Sequence, residues 1–125
     1  MLLTQNEFES YDVSKFKSYM LKEFIHKFIS THPEVRHLNL TKWNVSNVVD
    51  MHRLFRGYDE LVSIDITGWN THNVESMSCM FLHCKSLKEI KGLNNLDTSN
   101  VQRNINMFRN CRQLNGFDLL PNMLC

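Results

Sequence analysis

Between Trp43 and Leu114 one thirteen-residue pattern is written nearly three times, and this repetition constrains the chain more than any other feature. The copies are W-N-V-S-N-V-V-D-M-H-R-L-F from Trp43 to Phe55, W-N-T-H-N-V-E-S-M-S-C-M-F from Trp69 to Phe81, and L-D-T-S-N-V-Q-R-N-I-N-M-F from Leu96 to Phe108. The step from Trp43 to Trp69 is 26 residues, and the step from Trp69 to Leu96 is 27. A fixed period of this size marks a repeat architecture and outranks local propensity. The sequence therefore predicts an α/β solenoid.

Each repeat is expected to open on a short half-buried strand, because apolar and polar residues alternate there. These runs are Val35 to Thr41, Val62 to Thr67 and Lys88 to Lys91, with a fourth start at Gly116 to Leu119. A turn follows, then a candidate helix N-cap at Ser46-Asn47, His72-Asn73 and Ser99-Asn100, whose side-chain oxygens can accept free backbone N–H groups. Beyond each cap the apolar residues step at helical spacing: Val48, Met51, Leu54 and Phe55, then Val74, Met77, Met80 and Phe81. The third copy keeps Val101, Ile105, Met107 and Phe108 but places Asn104 where the others have methionine. Each unit thus reads as strand, turn, short helix, turn, and buries its apolar face only against a neighbouring unit.

Ahead of the repeats, Met1 to Asp12 reads as an irregular arm or short capping segment. From Ser14 an apolar stripe of Phe16, Met20, Leu21, Phe24, Ile25, Phe28 and Ile29 predicts an amphipathic helix, with Asp12 or Ser14 as its N-cap. Its stop is set at Thr31-His32-Pro33, because the residue before a proline is pushed out of the α region. The helix is expected to cover the apolar end of the stack. The boundaries are an arm and capping helix over 1–34, repeats at about 35–60, 61–86 and 87–113 with a partial one at 114–119, and a tail at 120–125.

The motifs W-N-V/T-x-N-V-x-x-M-x-x-M/L-F and C-x-x-L, at fixed period over Val35 to Leu119, resemble the BspA-like leucine-rich repeat family. The resemblance implies a parallel sheet on one side and helical segments on the other. It also implies a role in protein–protein interaction, since the better-known members are bacterial surface proteins that mediate adhesion.

Composition limits the other readings. Fourteen basic residues face thirteen acidic ones, for a net charge of +1, which makes no electrostatic case for nucleic acid. No segment has the apolar length of a membrane span. Met1 to Glu9 lacks the basic and apolar regions of a secretory signal. A full-length chain is therefore expected in the cytoplasm, and a trimmed piece of a longer one allows a surface location. Of the four cysteines, Cys84 and Cys111 occupy matching places in successive repeats and read as a buried ladder of small apolar thiols, at a strand spacing that also admits a disulfide between them.

Nothing in the sequence assembles a catalytic, metal or cofactor site. The six histidines contain no i, i+4 pair; Cys79, His83 and Cys84 cluster in sequence, but Cys79 and Cys84 are five apart and on a helix point about 140° from each other, so they meet only if the helix has already ended. The four glycines form no phosphate loop. The reading is a non-enzymatic module that binds a protein partner, and the alternative is an assembly component packed in a larger particle or surface layer. Side chains between the apolar strand residues point outward. The candidate binding columns are therefore His37, Ser63 and Glu89 beside Asn39, Asp65, Lys91 and Asp118. The apolar C-terminal stretch, with Leu120 and Leu124, is the second candidate surface, through which a homo-oligomer would form.

Overall fold

A computed structural model describes residues 2–115. Two α-helices come first: α1 at Gln5–Glu9 and α2 at Ser18–Thr31. Three strands follow, β1 at His37–Asn39, β2 at Ser63–Asp65 and β3 at Glu89–Lys91, with a 3-10 turn at Leu93–Asn95.

The short helix α1 is set by a capping box in which Thr4 and Glu7 each accept the other's backbone N–H. The longer α2 starts after Lys17, which makes no side-chain cap. Asp12 instead ties down a turn before it, accepting both the N–H and the hydroxyl of Ser14. Leu21, Ile25 and Phe28 are the buried face of α2, and Met20 at the head of the stripe is half exposed.

The strands pair in parallel in the order β1-β2-β3. Leu38, Ile64 and Ile90 lie side by side and point into the core, and the residues flanking them face outward. His37 pairs with Ser63 and Ser63 with Glu89, so the 26-residue step of the sequence is the register of the sheet. On the opposite wall, isolated parallel bridges join Asp50 to Ser76 and Ser76 to Arg103. The extra residue of the third repeat therefore falls between Lys91 and Arg103. The 3-10 turn at Leu93–Asn95 lies in that interval.

The expected solenoid of strand-and-helix units behind an N-terminal capping helix is corrected by this arrangement. The structure is a small domain with two helices and an open three-stranded parallel sheet. Little of the remaining chain is in regular secondary structure, and among the described residues no α-helix follows a strand. The reason lies in the backbone. Arg53, Cys79 and Asn106 adopt φ of 61°, 58° and 59°, in the left-handed region, which no α-helix tolerates. The three-residue apolar steps belong to tight turns instead: Leu54 N–H bonds to Met51 C=O, and Met80 N–H to Met77 C=O. The N–H groups between these turns reach across to the following repeat, as from Arg53 to Ser78, Phe55 to Met80 and Gly57 to Leu82. A three-residue spacing is common to helices and to such chained turns, so periodicity alone could not separate them. The expected fourth strand at Gly116 to Leu119 lies outside the described residues.

The core runs between the two walls. Phe55, Phe81 and Phe108 stack face to face, with centroids 5.3 and 5.8 Å apart. Trp43 stacks on Trp69 at 6.4 Å. The Trp69 indole donates to Leu40 C=O of the preceding repeat, and the Trp43 indole makes the matching bond to Phe8 C=O in α1. The N-terminal segment thus stands where a repeat before the first would stand.

Candidate functional site

The sheet face carries six of the nine residues singled out as candidate binding groups. His37, Asn39, Glu89 and Lys91 are exposed, and Ser63 and Asp65 half-buried. Strand pairing brings them into two columns, His37–Ser63–Glu89 and Asn39–Asp65–Lys91. Asp118, Leu120 and Leu124 lie outside the described residues, as does the C-terminal surface built on them.

Most of the six are already engaged. Asn39 Oδ1 accepts the Thr41 N–H at 3.1 Å and its hydroxyl at 2.7 Å, and Asp65 Oδ1 accepts the Thr67 N–H at 3.0 Å. These are Asx turns, in which a short polar side chain mimics a backbone turn and ends the strand. His37 Nδ1 lies 2.7 Å from Ser63 Oγ. Lys91 has no acceptor with which to repeat the turn, and Gly92 takes a left-handed φ of 87° beside it. The side chains of Glu89 and Lys91 make no hydrogen bond or ion pair with any described residue. They are the free charges of the face.

Two residues that the sequence reading passed over define the sheet's outer edge. Gln5 Nε2 donates to His37 C=O at 2.6 Å, and Glu9 Oε2 accepts the Asn39 N–H at 2.7 Å. Gln5 also donates to Glu9 at 3.0 Å. Side chains of α1 therefore satisfy the groups that a further strand would bond. An edge covered in this way resists pairing with another chain. The readable signal is the capping box at Thr4 and Glu7, which announces a helix start in the stretch expected to be an irregular arm or short capping segment.

The second wall uses its polar residues in the same internal way. The expected helix caps are corrected, because no helix follows them. Asn44, Asn70 and Asp97 accept the N–H of Ser46, His72 and Ser99 in Asx turns. Asn47, Asn73 and Asn100 each donate to a backbone carbonyl of the preceding turn, on Ser14, Ser46 and His72. The Ser99 bonds, and after them His72 at 3.0 Å, hold the Asp97 carboxyl down at about 2.

Cys79, Cys84 and Cys111 are free thiols. The Cys84 thiol donates to Phe55 C=O at 3.0 Å and that of Cys111 to Phe81 C=O at 2.9 Å. Burial pushes them up to about 12 and about 11. Both are unreactive in this setting, since the thiolate is the nucleophile. Cys79 is partly exposed against Ile105 C=O, and His83 Nδ1 sits 2.8 Å from Asn110 Nδ2. Among the described residues no three His, Cys, Asp or Glu side chains gather as a metal-binding group. No helix among them is long and apolar enough to cross a membrane.

Residues 20–118 match a family described as Mycoplasma protein of unknown function, DUF285. The match spans most of the chain, and the chain belongs to this family. No curated protein and no solved structure matches it.

Proposed function

We propose that this DUF285 chain is a non-enzymatic module that binds a protein partner over its sheet face. The observation that carries the reading is the pair of outward columns set in register by parallel pairing, with Glu89 and Lys91 at their end. A face with two opposite charges two residues apart along one strand suits a partner surface of complementary mixed charge. It does not suit nucleic acid, which calls for a basic stripe. The Asx turns of Asn39 and Asp65 move the recognition role away from the centre of the sheet and onto β3.

A photo-crosslinking side chain placed at position 89 or 91 tests this in extract of the source cells. The reading expects a discrete protein adduct from either position and none from the same group at Lys27 on α2. An adduct of twice the chain mass would identify the partner as a second copy. Equal labelling from Lys27, or adducts containing nucleic acid, would contradict the reading.

A further inference from the structure

On the wall away from the sheet, α2 and the first chained turn enclose a recess of about 270 Å3. Lys22, Glu23 and His26 line it from the helix, and Arg53, Arg56 and Tyr58 from the turn. Lys22 and His26 are four residues apart and so share one helix face. Arg53 and Arg56 are three apart, joined by a backbone bond from Arg56 N–H to Arg53 C=O that fixes their spacing.

The charge in this recess is not balanced from within. Three cations face one carboxylate, that of Glu23. The ion pairs among the described residues, Arg36–Glu60 and His72–Asp97, lie elsewhere. Neither arginine side chain here forms a hydrogen bond or ion pair with any described residue. The Tyr58 hydroxyl, on a mostly buried ring, likewise bonds to none of them. His52, next along the turn, is held below its ordinary value by burial first and then by Arg53, with Lys22 and Arg103 adding to the effect against an opposing contribution from Asp50. Arg53 and Lys22, both in the lining, thus add to an effect that burial leads.

We propose that this recess binds the dianionic phosphate of a phosphomonoester. Two guanidinium forks, an ammonium and a phenol O–H offer more donors than one carboxylate can accept, and they match three terminal phosphate oxygens. A phosphomonoester carries nearly two negative charges at neutral pH, which offsets the surplus of the lining. The volume suits the phosphate and the few atoms beside it, below the range of about 300–1,000 Å3 typical of larger ligands. The site is separate from the sheet face, so its failure leaves the reading of that face untouched.

The test follows the Nε–Hε signals of Arg53 and Arg56 by NMR at constant ionic strength, with glycerol phosphate, a phosphoserine peptide and acetate as probes. Saturable shifts at both arginines are expected with the two phosphomonoesters, and acetate should bind at least about tenfold more weakly. Arg53→Gln and Arg56→Gln should each weaken binding about tenfold. Lys85→Gln should leave it unchanged. Both arginines are exposed, and far-UV circular dichroism would verify that the variants stay folded. Tighter binding of the peptide would assign the phosphate to a protein side chain, and equal binding to a small molecule. Shifts that do not saturate, an acetate response equal to that of phosphate, or variants that bind as the parent does would each overturn the proposal.

Discussion

The two walls of the repeat region both spend polar side chains on their own backbone, and they differ in the backbone they hold and in the charges they leave over. On the sheet wall, the backbone is ordinary extended chain and the outward polar groups hold it in place. Asn39 and Asp65 close turns, His37 meets Ser63, and Gln5 and Glu9 seal the edge. On the turn wall, the backbone takes left-handed conformations at Arg53, Cys79 and Asn106 and bonds to the next repeat directly. Its outward cations Arg53 and Arg56 are left without partners among the described residues. Outward position in a repeat is therefore no measure of availability. Glu89 and Lys91 on β3 and Arg53 and Arg56 on the turn wall are outward charges left over from holding the backbone.

The comparison can be broken at several depths. The largest effect is expected at Phe81, fully buried and stacked between Phe55 and Phe108 on the turn wall. Phe81→Ala should cost about 3–5 kcal/mol in urea unfolding, from lost burial and the cavity left behind. A loss below about 1 kcal/mol would mean that the stack does not hold the turn wall together.

Glycine substitution comes next. A Cβ on Gly92 would lie 2.7 Å from the Thr67 backbone, and the residue also has φ of 87°. A Cβ on Gly57 would meet nothing within 4 Å, so that position costs only its left-handed φ of 79°. Gly57→Ala should cost about 1–2 kcal/mol and Gly92→Ala clearly more, by comparison of melting temperatures. Equal losses would show that the close approach of backbone at Gly92 does not matter.

The thiols sharpen the contrast through pH. Burial raises Cys84 and Cys111 from the ordinary 9.0 to about 12 and about 11, so the unfolded chain releases these protons first. Their contribution to stability is whole below pH 9 and is lost as pH rises through the folded values. The urea midpoint should therefore fall steadily above pH 9, and Cys84→Ser with Cys111→Ser should flatten that fall. In a Cys125→Ser background at pH 8, iodoacetamide should label Cys79 and spare Cys84 and Cys111 until the chain unfolds. Rapid labelling of all three would contradict their burial.

Part of this was legible in the sequence. The period of the W-N-x-x-N-V pattern is the spacing at which the strands pair, because one repeat must bond to the next residue for residue. The buried ladder of Leu38, Ile64 and Ile90 follows from strand alternation. The turn wall is not legible as turns, since Met51, Leu54 and Phe55 carry apolar spacing that turns and helices share. The left-handed residues gave little warning: Arg53 and Cys79 are neither glycine nor asparagine. On the sheet face the signal was present and unused. Asn39-Leu40-Thr41 and Asp65-Ile66-Thr67 are Asx turns in pattern, and Lys91-Gly92-Leu93 is the copy that breaks it. The recess at Arg53 and Arg56 depends on where α2 lies against the first turn, which no spacing along the chain could give.

The most direct measurement is urea unfolding of two double variants side by side, Asn39→Ala with Asp65→Ala and Glu89→Ala with Lys91→Ala. The first pair should lose about 1–3 kcal/mol, because each removes a hydrogen bond that closes a turn. The second should stay within about 0.5 kcal/mol of the parent at each site, as free surface groups do. Equal losses in the two pairs, or a larger loss from Glu89 and Lys91, would contradict the division of the sheet face into groups that hold the fold and groups left for a partner.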